Sequence, residues 1–222
     1  MSSRYQALIF DLDGTLLDTL NDLAEAANQT LADFGLPVHP VEAYRTFVGD
    51  GLLTLIDRII PRDRCAPEDL ARYMARFQEI YIRNWDDTSR PYPGILEMLD
   101  QLRQSGLRMA VLSNKPHAFT QLCVDRFFGA DLFEQVYGER EGVPKKPDPA
   151  EALAIAAKMD LSPEQILYVG DTATDMQTGR DAGMDTVGVL WGFRGRLELE
   201  THGAGLIVAR PAEITAYVTA IT

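Results

Sequence analysis

The chain has 222 residues, 46% apolar and 24% charged, which suits one compact α/β domain or a core carrying a smaller inserted domain. Its 33 acidic residues outnumber 21 basic ones, a formal charge of −12, so its field disfavours nucleic-acid and anionic-membrane partners, and an anionic substrate needs a locally positive pocket. No apolar run reaches the roughly 18–20 residues of a membrane span. The opening "MSSRYQALIFDLDG" is too briefly apolar for a signal peptide, and Cys65 and Cys123, without metal spacing, read as free thiols of a cytoplasmic protein.

Residues 5–10, "YQALIF", predict a buried strand. From Thr19 the period changes. Leu20, Leu23, Ala24, Ala27, Leu31 and Phe34 recur at helical spacing, so a helix covers 19–34 and ends at Gly35 and Pro37. "VEAYRTFV" and "LLTLIDRII" predict two shorter helices around the turn Gly49-Asp50-Gly51. Leu70, Tyr73, Met74, Phe77 and Ile80 mark a fourth. Residues 17–86 thus read as a helical insert without a convincing strand. After "RPYPG", strands at 107–114, 133–138, 165–171 and 185–191 alternate with helices at 95–105, 116–128, 149–159, 174–183 and 211–221. That alternation predicts a Rossmann-like three-layer α/β core with a parallel sheet, built from residues 1–16 and 87–222, with 17–86 as an inserted α-helical cap.

Ligands of open parallel sheets bind beyond the carboxyl ends of the strands, so the residues there matter most. The first strand runs into "DLDGT", the next into "SNK", and a later one into "GDTATD". Asp11, Asp13, Ser113, Asn114, Asp171 and Asp175 would therefore share one edge, with Lys145 and Lys146 offered by the proline-stiffened "KKPDP". Crowded carboxylates repel unless a cation lies between them. Several carboxylate oxygens suit a hard ion such as Mg²⁺, and a hydroxyl and an ammonium suit phosphate oxygens. Gly14 permits a sharp turn. Asp18, close behind, reads as the cap of the following helix.

The motifs "FDLDGTLLDT", "LSN", "KPDP" and "GDTATD" resemble those of the haloacid dehalogenase-like hydrolases. "TFVGDG", "PYPGILEMLDQLRQSG", "VLSNKPHAFT" and "GVLWGFR" resemble its phosphoglycolate phosphatase-like branch. The resemblance implies a Mg²⁺-dependent phosphatase acting on a small phosphorylated metabolite, with phosphoglycolate the leading candidate. It implies that Asp11 is the nucleophile, Asp13 the proton carrier, Ser113 a phosphoryl-binding hydroxyl with Asn114 nearby, and Lys146, rather than Lys145, the phosphate-neutralising ammonium. Asp11, the backbone carbonyl of Asp13, and Asp171 would hold the metal. Asp175 would be a further metal-site acid or an orienter of the lysine. Members that cleave carbon–halogen bonds lack an aspartate in the place of Asp13, so dehalogenation is not expected.

The insert should act as a lid hinged at residues 14–18 and about 85–92. Its turn Gly49-Asp50-Gly51 has anion-binding geometry at a helix start. Yet Asp50 either repels a substrate carboxylate or merely caps the helix, and Arg45 offers a compensating charge. Trp191, Phe193 and Arg194 line the rim or pack into the core. His39, His117 and His202 carry no assigned role. Two competing functions remain: a phosphosugar mutase of the β-phosphoglucomutase type, and a non-catalytic receiver-like module phosphorylated on Asp11. A monomer or a homodimer is expected.

Overall fold

The computed structural model describes residues 4–64 and 69–220, so Cys65 lies outside it. The strands β1 (Ala7–Phe10), β4 (Arg108–Pro116), β5 (Gln135–Glu139), β6 (Ile166–Gly170), β7 (Asp185–Val189) and β8 (Leu206–Val208) form one parallel sheet in the order β5-β4-β1-β6-β7-β8. Both faces are covered, which is why the central strands are almost wholly apolar. Alternate side chains go to opposite sides. Leu8, Phe10, Met109, Val111, Leu167 and Val169 share a cluster with α5 (Ile95–Gln104) and α10 (Pro211–Ala220). Ala7, Ile9, Ala110, Ile166 and Tyr168 share another with α7 (Ala150–Lys158). The core is the three-layer α/β arrangement expected. Along the sheet, β1 leads to β4 on one side and β6 to β7 on the other, so a crevice opens at the carboxyl ends of β1 and β6.

Four helices leave this core together: α1 (Leu20–Asp33), α2 (Tyr44–Phe47), α3 (Leu52–Ile59) and α4 (Leu70–Asn84). They bury their own cluster, including Leu31, Tyr44, Ile56 and Phe77, and the core contributes Phe119 and Phe193 to it. α1 ends where Gly35, at φ +66°, turns the chain and the Leu36 N–H closes onto the Leu31 carbonyl at 2.9 Å. Among the described residues, no helix is long and apolar enough to cross a membrane.

Several local features differ from the sequence expectation. Residues 17–86 do contain a strand: β2 (Leu17–Asp18) pairs antiparallel with β3 (Arg90–Pro91), and two residues are too few to show a period. Asp18 sits in that ribbon opposite Arg90 rather than capping α1, whose N-cap is Thr19. β4 runs on past the expected end at Asn114 to take in Lys115 and Pro116, and its register against β5 shifts after Leu112. α9 (Arg196–Thr201) and β8 were not anticipated from the pattern and are similarly short.

The two crossings between core and helices are clasped by Asp22, which is fully buried on α1. Its carboxylate accepts from Thr88 Oγ1 (2.6 Å), Ser89 N (2.8 Å), Ser89 Oγ (2.7 Å) and Thr88 N (3.0 Å). Replacing it by alanine strands the buried Ser89 N–H and the half-buried Thr88 N–H. Urea unfolding of Asp22→Ala is expected to show a loss of about 2–4 kcal/mol, with Asp22→Asn losing less. A loss below about 0.5 kcal/mol would mean that the clasp does not hold the junction.

Candidate active site

The site is assembled at the crevice between β1 and β6. Asp11 follows β1, and its Oδ1 accepts from the Leu12 N–H at 2.7 Å and meets Lys146 Nζ at 2.8 Å. The same ammonium lies 2.7 Å from Asp175 Oδ1. Asp171 follows β6 and is fixed by Thr15 Oγ1 (3.0 Å) and the Phe193 N–H (2.7 Å). Asp175 opens α8 (Ala173–Asp181), where its Oδ2 and Thr172 form a reciprocal cap: Thr172 N donates at 3.1 Å and Thr172 Oγ1 at 2.7 Å. The backbone makes room for this crowd. Gly14, at φ +88°, would place a Cβ 2.4 Å from Asp171 Oδ2, so no side chain fits there.

Three buried carboxylates, Asp11, Asp171 and Asp175, offer oxygens within 4.8 Å of one another. One ammonium faces them, which leaves two negative charges when all are ionised. Burial, then Asp175, push Asp11 up to about 7 against the pull of Lys146. Burial, then Asp175 and Asp11, hold Asp171 well above the usual carboxylate range. Burial opposes the charge on Lys146, but Asp11 and Asp175 outweigh it and keep the ammonium protonated. Hard oxygen donors carrying an excess of two charges fit a divalent ion such as Mg²⁺.

Asp13 lies one turn further, receiving Thr19 Oγ1 at 2.8 Å and Lys115 Nζ at 3.1 Å. Lys115 is a residue that the sequence reading left without a role, although it follows Ser113 and Asn114 in the same strand-end run. It is buried, and it also donates to Tyr81 OH on α4 at 2.8 Å. Above these groups, between sheet and helices, is a cavity of about 550 Å³ counted out to its mouth. Asp11, Asp13, Ser113 and Lys115 line its polar side, while Leu23, Val48, Leu55, Phe77 and Phe119 line the other.

Other expected residues fall elsewhere. Asn114 borders the cavity, but its amide is engaged by backbone: Nδ2 donates to Gly49 O (3.2 Å) and Lys146 O (3.1 Å), and Oδ1 accepts from Lys146 N (3.0 Å). It positions two loops instead of facing a ligand. Lys145 turns away from Asp11 to donate to the Asp50 carbonyl at 2.6 Å. Gly49 and Gly51 line the cavity, whereas the Asp50 carboxylate does not. It neither caps α3 nor faces the site, because it is held by Arg58 Nη2 (2.5 Å) and Thr174 Oγ1 (2.7 Å). Burial works to raise the Asp50 carboxyl, but Thr174 and Arg58 outweigh it and hold it low. Arg45 donates to the Gly192 carbonyl and Arg194 to the Val48 carbonyl, both at 2.9 Å, tying helices to core. Trp191 and Phe193 pack into apolar clusters and are not at the rim.

Comparison with known proteins places this geometry in context. A family model described as haloacid dehalogenase-like hydrolase matches residues 8–189. A phosphoglycolate phosphatase of Mannheimia succiniciproducens is 35% identical over 199 residues, 87% of this chain and 89% of that protein. One from Aquifex aeolicus is 30% identical over 209 residues, covering 94% of each. A crystal structure assigned as a phosphoglycolate phosphatase, from Lactobacillus delbrueckii subsp. bulgaricus, superposes with a TM-score of 0.90 at 31% identity, covering 96% of this chain and 98% of that one.

The raised Asp11 carboxyl gives a signed expectation for metal-free protein. Folded Asp11 keeps its proton up to about 7, whereas the unfolded chain releases it near 3.8. Between those values the native state binds more protons, so metal-free stability falls as pH rises. A bound cation must displace that proton, so its stabilisation grows over the same range. Calorimetry with EDTA or with excess Mg²⁺ should show the larger metal-induced rise in Tm at about pH 8 than at about pH 5.5. An equal or reversed difference would mean that cation binding displaces no proton from the buried carboxylates.

Proposed function

The chain belongs to the haloacid dehalogenase-like hydrolases, and we propose that it is a Mg²⁺-dependent phosphatase cleaving 2-phosphoglycolate through an aspartyl phosphate on Asp11. At the coarser level it is a phosphoric monoester hydrolase acting on a small phosphorylated substrate. The observation that carries the finer reading is the meeting of Asp11, Asp171 and Asp175 with the single ammonium of Lys146, beneath a cavity that also holds Asp13 and Ser113.

Hydrolysis of a phosphate monoester is among the slowest uncatalysed reactions, and a carboxylate approaching a phosphate dianion meets strong repulsion. Asp11 Oδ1 is occupied by Lys146 and by the Leu12 N–H, which leaves Oδ2 to attack. Oδ2 bonds to phosphorus, the ester P–O bond breaks, and Asp13 gives its proton to the departing alkoxide. Asp13 then takes a proton from a water that attacks the aspartyl phosphate, freeing inorganic phosphate and restoring Asp11. The Ser113 hydroxyl and Lys146 ammonium hold phosphoryl oxygens, and Asp175 keeps Lys146 in line. Asp11, Asp171 and the Asp13 carbonyl would hold Mg²⁺, which would supply a Lewis acid offsetting the charge of nucleophile and phosphoryl group.

The helical block, residues 17–86, acts as a cap that excludes water from the cavity, with the β2–β3 ribbon as part of its hinge. The apolar far wall favours hydrolysis over sugar phosphate mutation, since a hexose needs polar partners there.

Asp11→Asn is expected to lower phosphate release from both 2-phosphoglycolate and p-nitrophenyl phosphate by at least about 10³-fold, with the circular dichroism spectrum unchanged. EDTA should abolish wild-type turnover and added Mg²⁺ restore it. Undiminished turnover of Asp11→Asn would end the covalent mechanism, and interconversion of sugar phosphates without phosphate release would favour the mutase.

A further inference from the structure

We infer that Lys115 is the specificity-determining residue of this site, the cation that pairs with a carboxylate carried by the leaving group. The inference rests on the phosphatase reading above and assigns the group that reads the non-phosphoryl half of the substrate.

Among the described residues lining the cavity, Lys115 is the one cationic side chain. In a chain of formal charge −12, an anionic substituent entering the cavity has no other local counter-ion on its walls. Lys115 Nζ lies 3.1 and 3.2 Å from the two carboxylate oxygens of Asp13. Asp13 must touch the leaving oxygen to protonate it, so Nζ is within reach of atoms two or three bonds beyond that oxygen. The carboxylate of a 2-phosphooxy acid falls there. The ammonium has three donors, and Asp13, Tyr81 OH and an incoming carboxylate account for all three.

Position and environment favour the same role. Nζ rests 4.8 Å from the centroid of the Tyr81 ring, so core and helical block fix it jointly. The Lys115 side chain is 3% exposed, which leaves its charge little screened by water. The opposite wall is apolar and offers nothing to hydroxyl-rich leaving groups. Asp50, whose charge would repel a carboxylate from the neighbouring turn, is engaged with Arg58 and Thr174.

The test compares kcat/KM for 2-phosphoglycolate and for ethyl phosphate, which has a methyl group where the acid has its carboxylate. Wild-type enzyme should prefer the acid by about 100-fold, the worth of a buried charge-assisted contact. Lys115→Met should bring the ratio to within about threefold of unity, and Lys115→Arg should keep most of the preference. Lys115→Gln reads the same ratio if the methionine variant does not fold. A wild-type enzyme with no preference overturns the inference and leaves the phosphatase reading standing. So does a variant that keeps the preference, or one that loses activity equally on both esters. Failure of the wild type to release phosphate from either ester, or from p-nitrophenyl phosphate, overturns the reading itself.

Discussion

One ammonium shared by two buried carboxylates governs this structure. Lys146 Nζ sits within 2.8 Å of both Asp11 and Asp175, with Asp171 close by and all four residues buried. An unpaired charge at that depth would be neutralised or expelled. The surrounding backbone lessens that cost: Gly14 yields space, the Thr172 cap takes one Asp175 oxygen, and Thr15 and the Phe193 N–H take those of Asp171, although burial still pushes Asp11 and Asp171 toward their neutral forms. With all three carboxylates ionised, the excess of two negative charges over the one ammonium suits a divalent cation.

The loop between α2 and α3 makes a second network, this time between helices and core. Asn114, Lys145, Thr174 and Arg194 of the core all hold residues 46–51, and Arg45 returns the contact to Gly192. Most of these bonds end on backbone carbonyls, so they depend on the path of the chain more than on its side chains. Moving the loop away from the core would require these contacts to be broken together.

The layers and the strand-tip acids were legible in the sequence because they follow simple periods. Apolar runs of four or five residues mark buried strands, and "DLDGT" and "GDTATD" stand directly after two of them. Lys146 was separable from Lys145 by its motif, and the distances place it at Asp11. What escaped reading depends on contacts far apart in sequence. Lys115 meets Tyr81 and Asp13 across 34 and 102 positions, and Asp22 meets Ser89 across 67. No local pattern marks such pairs. Asp50 was misjudged because its carboxylate pairs with Arg58, eight positions on, and accepts from Thr174, 124 positions away.

The β2–β3 ribbon has an architectural consequence. The chain leaves the sheet layer and returns to it along two adjacent strands, about 5 Å apart. Entry and exit therefore coincide at one narrow seam, and what is threaded between them never interrupts the order of the parallel strands. Any helical module whose ends lie side by side could be spliced at that seam. The chemistry below would be conserved while the chamber above it was rebuilt for a different ester.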